Sequence, residues 1–238
     1  RSDVWVEWVD VAVLVAALCA AAFFALKLRS RTAMIGLVVF SLAYFGFWRA
    51  GCICPIGSIH HVTLALVNPA YPLPMTVVLF FAVPLAFALL FGRVFCAGVC
   101  PLGAIQDLVL IKPVKVPMWL EHVLWIVPFA YIGAAVLFTV TGTAFIICRY
   151  DPFVSFFRLG GPPLLLIFGG LLLVLSTFIG RPYCRYLCPY RVLLSAGSRF
   201  AWRKVTITPD ECVVCSLCED ACPFNAIEPP TPEGAEEE

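Results

Sequence analysis

The chain has 238 residues, 62% apolar and only 13% charged, with a mean hydropathy of +0.96. Soluble domains are about half apolar and about a quarter charged, so a disordered chain, a nucleic-acid binder and most soluble enzymes are excluded. A net charge of +1 gives no general pull toward polyanions, and twelve cysteines in so apolar a chain do not fit a small polar disulfide scaffold.

Crossing a hydrocarbon core of roughly 30 Å takes about 20 apolar residues as helix. Five stretches qualify, in chain order: Val9 to Leu26, Ala33 to Trp48, Met75 to Phe91, Trp119 to Val140 and Pro162 to Gly180. Pro84 is a kink point in the third. Ile59 to Val67 is too short to cross and reads as a re-entrant or interfacial helix. No signal-peptide pattern is visible. The start at Arg1 reads as the C-terminal part of a longer polypeptide, or as a processed one.

Basic residues set the orientation. Numbering loops alternately, one side collects Lys27, Arg29, Arg31, Arg93, Lys112, Lys115, Arg181, Arg185, Arg191, Arg199, Arg203 and Lys204. The other holds Arg1, Arg49, Arg149 and Arg158. The expectation is a multi-pass protein of a bacterial inner membrane, N-terminus outside and C-terminus cytoplasmic. Trp5, Trp8, Trp48, Trp119 and Trp202 fall near the interfaces as anchors. Gly160–Gly161 and Gly169–Gly170 lack the setting of a phosphate loop and suit close helix packing.

The cysteines sort by this topology. Cys19 stands alone in the first span and reads as a small packing residue. On the cytoplasmic side, CVVCSLCEDACP (Cys212 to Pro223) has C-x2-C-x2-C-x3-C-P spacing. Three close thiolates there wrap one corner of a cubane, and the fourth points to another cluster. Zinc sites more often use two C-x2-C pairs across a longer loop. FGRVFCAGVCP (Phe91 to Pro101) and IGRPYCRYLCP (Ile179 to Pro189) match each other. Each follows a span with Gly-Arg and then C-x3-C-P, the second half of a ferredoxin motif. Cys96, Cys100, Cys184, Cys188, Cys212, Cys215, Cys218 and Cys222 therefore supply eight thiolates, enough for two [4Fe–4S] clusters. One partition places Cys188 with Cys212, Cys215 and Cys218, and Cys96, Cys100 and Cys184 with Cys222. Arg93, Arg181 and Arg185 beside these cysteines would favour a reduced cluster, or serve simply as positive-inside anchors.

RAGCICPIGSI (Arg49 to Ile59) is a degenerate third copy on the outer side, and Cys148 in CRYDPF falls there too. Cys52, Cys54 and Cys148 form a candidate third redox centre. His60, His61, Asp151 or a partner residue would complete it. A disulfide between two of them is the alternative in an oxidising compartment.

These motifs resemble the NosR/NapH family of membrane-bound polyferredoxin-like proteins, from the second span to Ile227. The resemblance implies electron passage between the quinone pool and periplasmic reductases or flavin domains. Family members commonly have two full ferredoxin motifs and this chain has one. Their NosR branch has a periplasmic FMN-binding domain before its membrane region, a domain absent from this sequence.

The fold expected is an all-α membrane protein of about five transmembrane helices. Residues 1–204 carry the cysteine-bearing loops, 205–230 form a small cytoplasmic ferredoxin-like segment, and 231–238 are an acidic tail. The function expected is a membrane electron-transfer subunit, with quinol oxidation as its only candidate enzymatic step and no nucleophile–base catalytic set. Membrane lipid and other subunits of a redox complex, including a flavin- or haem-bearing protein, are the partners, and nucleic acid is not. The alternatives are a redox-coupled ion-pumping subunit and a metal-holding assembly or sensor protein. Pumps place ionisable residues within their spans, and here Asp10 and His122 lie only near span ends.

Overall fold

The computed structural model describes residues 4–28, 30–49, 55–68, 71–111, 114, 116–142, 151–158, 160 and 162–202. The readings made on Cys52, Cys54, Cys148, Cys212, Cys215, Cys218 and Cys222 lie outside these residues. Helix is the only regular structure among the described residues. α1 (Val4–Phe23) continues as π-helix to Leu28, and α2 (Arg31–Ser41) continues likewise to Trp48. Ser30 caps α2 by accepting from the Ala33 N–H at 3.4 Å. α3 (Pro55–Val67) and α4 (Met75–Phe91) follow, then α5 (Val94–Gly98) and α6 (Pro101–Val109). α7 (Met118–Trp125) and α8 (Val127–Val140) form one apolar rod. The chain ends its described part with α9 (Pro152–Phe157), α10 (Pro163–Ser176), α11 (Pro182–Tyr186) and α12 (Tyr190–Arg199).

All five expected spans coincide with helices. Trp5–Leu28, Arg31–Trp48 and Trp119–Val140 are long and apolar enough to cross a membrane. Met75–Phe91 and Pro163–Ser176 are apolar but shorter, at 17 and 14 residues. The latter is about 21 Å long, less than the ~30 Å hydrocarbon core. Its limits are local. Pro162 and Pro163 start it, and at its end the Ser176 and Thr177 hydroxyls donate to Leu172 O (2.7 Å) and Val174 O (2.6 Å). The short helix expected from Ile59 begins earlier, at Pro55, whose fixed φ suits a first helical turn.

Polarity runs opposite to a soluble bundle. Leu164, Ile167, Leu171 and Val174 face outward along α10, while Gly169, Leu172 and Ser176 are buried. On α1, Val11, Leu14, Leu18 and Ala21 form the inward stripe against α4 and α5. Several polar groups inside the bundle are paired, as a low-dielectric interior favours. Asp10 is fully buried, pairs with Arg49 at 2.6 Å and accepts from Tyr44 Oη at 3.0 Å. Thr76 Oγ1 donates to Glu7 at 3.0 Å. Asp10 thus lies near the start of its span, as expected, and also joins the first helix to the second.

α9 folds back along α10. Gly169 makes this approach feasible, since a Cβ there would lie 3.2 Å from the Pro152 carbonyl oxygen. The edge of Phe157 meets Phe47 with ring centroids 5.5 Å apart. Asp151 at the head of α9 is therefore carried into the bundle, where it is 2% exposed.

Candidate metal centre

Two segments with one sequence pattern fold to one local shape. In the first, Val99 and Cys100 both donate backbone N–H bonds to Phe95 O, at 3.0 and 2.9 Å. In the second, Leu187 and Cys188 both donate to Tyr183 O at 2.9 Å. Val99 has φ −118° and ψ −22°, and Leu187 has φ −119° and ψ −29°. Each C-x3-C is thus a single helical turn closed by a tight reversal, followed by a proline that opens the next helix without an N–H to satisfy. Positive φ falls on Gly92 (73°) in the first loop and on Arg181 (50°) in the second. A left-handed arginine is uncommon, and the side chain of this one is fully engaged.

Arg181 forks onto the Asp107 carboxylate through Nε and Nη2, while Nη1 donates to Cys96 O at 2.6 Å. Its counterpart Arg93 donates to Ser195 Oγ at 3.2 Å and Ser198 Oγ at 3.4 Å. Asp107 lies seven residues after Cys100, and Ser195 seven after Cys188. Each repeat's arginine therefore grips the equivalent position on the other repeat. The two loops are held together by this reciprocal clasp.

Four thiols converge between them. Cys100 and Cys188 are buried, and Cys96 and Cys184 are partly buried. Burial raises all four above the ordinary thiol value, Cys96 to about 12, and the thiols of the opposite loop push Cys184 and Cys188 further up. Opposing this, the N–H groups of Gly103 and Leu102, in the first turn of α6, point at the Cys100 sulfur, and that of Arg191 at Cys188. Arg181 favours the anions of Cys96, Cys100 and Cys184. Arg93 and Arg191 favour that of Cys96. Among the described residues, no group of three or more His, Cys, Asp or Glu could hold a single metal ion.

This donor set fits an iron–sulfur cluster. Thiolates are its ligands, backbone and side-chain N–H groups bond its sulfurs, and nearby cations offset its negative charge. Ligation would replace four thiol protons by iron.

Gln106 was not evident from the sequence. It is fully buried, with Nε2 donating to Leu102 O at 2.7 Å and reaching Cys184 Sγ at 3.5 Å. Its Oε1 accepts from Tyr183 N at 3.0 Å. Asp107 and Arg191 were missed as partners too. The signal was the internal repeat itself, because aligning the two motifs puts Asp107 opposite Ser195 and Gln106 opposite Leu194.

Other expectations change. Arg185, expected beside the thiolates, pairs with Glu121 at the start of the Trp119–Val140 rod and lies 5.4 Å from the Tyr186 ring. Asp151, a candidate ligand for an opposite-face site, accepts from Tyr183 Oη at 2.8 Å, next to Cys184 in sequence. Burial raises its carboxyl value, and hydrogen bonds from Tyr183 and the α9 backbone hold it down. It sits by the cysteine quartet because α9 folds inward. His60 bonds Thr139 through Nδ1, and His61 shares a 2.9 Å bond with Tyr71.

A family model described as a 4Fe-4S binding domain matches residues 73–115 and 161–207, and a second model of that description matches 205–228. Two proteins of Methanocaldococcus jannaschii, MJ0749 and MJ0750, are each 30% identical to the chain, over 60% and 76% of its length. The chain spans 56% of MJ0749 and 77% of MJ0750. The regulatory protein NosR of Pseudomonas aeruginosa is 29% identical over 82% of the chain, which spans only 29% of NosR. No solved structure matches the chain.

Proposed function

The chain belongs to the NosR/NapH-type family of membrane iron–sulfur electron-transport proteins, and on that premise we propose that it relays electrons through two [4Fe–4S] clusters between the quinone pool and a redox partner. The observation that carries this is the clasped pair of C-x3-C-P loops, whose four thiols lie close enough to act on one another and on which Arg181, Arg93 and Arg191 act. Electron transfer needs a cage that changes charge without moving its ligands. Two short loops locked by paired arginines provide that rigidity.

The mutual proximity of Cys96, Cys100, Cys184 and Cys188 favours one cluster on this quartet and a second on Cys212, Cys215, Cys218 and Cys222. The partition that places Cys188 with Cys212, Cys215 and Cys218, and Cys222 with Cys96, Cys100 and Cys184, is the alternative. The charge bias of the loops favours a cytoplasmic location for both clusters. Cys52, Cys54 and Cys148 are the candidate third centre, with Cys148 three residues from Asp151 and so on the chain segment that reaches the quartet. A flavin- or haem-bearing subunit is the partner chemistry such a relay requires.

Iron and acid-labile sulfide per chain test the reading. About eight of each is expected for two cubanes, with an appreciable excess if the third centre exists. The double variant Cys96→Ala/Cys188→Ala should remove about four irons and leave the tail cluster in place. Loss of all iron would restore the shared partition. Zinc in place of iron, with no reducible visible absorption, would overturn electron transfer itself.

A further inference from the structure

We propose that the cavity between the end of the first span, α2 and α6 binds one phosphatidylethanolamine molecule by its zwitterionic headgroup. The spans Trp5–Leu28 and Arg31–Trp48 are separated by only two residues. Residues flanking that turn therefore lie at the boundary between hydrocarbon and water, where headgroups sit. Phe24 and Ala25 on one side of the turn and Arg31 on the other line a cavity of about 560 Å³, within the range of small-molecule sites.

Its walls carry both charges that a zwitterion needs. Arg31, at the start of α2, is exposed, and among the described residues no carboxylate pairs with its guanidinium. Its fork of N–H groups matches a phosphate. Asp107, on α6, also lines the cavity. Arg181 donates one N–H to each Asp107 oxygen, and the carboxylate stays 32% exposed. Each oxygen has a second lone pair to offer an ammonium N–H. Phe24, Met34 and Ile35 supply the apolar wall. Ile35 is 57% exposed, so that wall continues onto the outer surface of α2, where an acyl chain lies.

This pairing discriminates among bilayer lipids. The primary ammonium of phosphatidylethanolamine donates charge-assisted hydrogen bonds to Asp107 while its phosphate accepts from Arg31. The ammonium of phosphatidylcholine carries only methyl groups and has no N–H to donate. Phosphatidylglycerol brings neutral hydroxyls to the carboxylate. The bound lipid joins α2 to α6 and reaches, through Asp107 and Arg181, the Cys96 carbonyl. It braces the clasp between the two cysteine loops from the membrane side.

The test places the full, cluster-loaded chain in nanodiscs of equal parts phosphatidylethanolamine, phosphatidylglycerol and phosphatidylcholine, then releases it into detergent for native mass spectrometry. Phosphatidylethanolamine should be retained in about tenfold excess over each of the others, the ratio that one charge-assisted hydrogen bond supports. Arg31→Ala removes the phosphate donor, and Ala25→Trp fills the cavity from the first span. Each should cut that retention by about tenfold, with iron content unchanged. Ile167→Trp, at an exposed position of α10, should leave it as it is. Equal retention of the three lipids by the unaltered chain, preference for phosphatidylglycerol, an equal loss in Ile167→Trp, or retention unmoved in a cavity variant that keeps its iron would overturn the assignment. Bound lipid is read here rather than electron flow, so failure of the electron-transfer reading leaves the result interpretable.

Discussion

Arg181 and Gln106 show how little of a metal site is carried by its ligands. Gln106 is buried and Arg181 partly so, both bond across from one repeat to the other, and neither is a cysteine. Gln106 brings an N–H to Cys184, and its repeat counterpart Leu194 has none to give. The two halves of the site are therefore electrostatically unequal, although their backbones match. A donor to a ligating sulfur stabilises the more negative, reduced cluster. Gln106→Leu should lower the midpoint potential of the cluster bound by Cys184 by on the order of 50 mV, one net hydrogen bond of about 1 kcal/mol on a one-electron couple. An EPR-monitored redox titration reads this directly, and an unmoved potential would show the amide to be only a spacer for Tyr183.

Among the elements, the short helices α5, α6, α11 and α12 depend on close approach. A Cβ on Gly103 would lie 3.0 Å from Cys96 O and 3.6 Å from Arg181 Nη1. It would press on the carbonyl that Arg181 grips. Overpacking of this kind typically costs ~1–3 kcal/mol. Gly103→Ala should therefore reduce the iron retained per chain and lower the apparent melting temperature. Gly36→Ala, with nothing within 4 Å of the added methyl, is the control and should retain full iron. Gly98 is similarly confined, with Ala21 Cβ 3.2 Å and Met34 Cε 3.1 Å from its would-be Cβ, so α5 is seated on the first two helices.

At the scale of the whole molecule, the chain reads as two halves of one plan. Each half has a long apolar helix, a short helix beginning at a proline just after a cysteine-bearing stretch, a second apolar helix and a C-x3-C-P loop. The two loops close on each other through the arginine clasp. A relay across a membrane needs centres on both sides, and only Cys52, Cys54 and Cys148 stand outside the eight-thiolate set and the lone Cys19. Cys52→Ala should slow electron flux from reduced clusters to an acceptor enclosed on the far side of a proteoliposome, with the iron of the eight-thiolate set retained. Undiminished flux would assign those cysteines to a structural role.

The sequence by itself determined the helical class, the positions of the apolar helices and the paired cysteine loops. These are local matters: apolar run length, proline placement and spacing along one segment decide them. The tertiary structure alone decided which loop faces which, because Arg93–Ser195 and Arg181–Asp107 join residues about a hundred and 74 positions apart. It also decided the place of Asp151, since a helix of six residues carries no periodicity to say that it folds inward. Arg185 and Glu121 are likewise ordinary boundary charges until two distant segments meet. Hydrogen bonds and ion pairs across the bundle have no sequence period, so they are legible only once the backbone has brought their partners within reach.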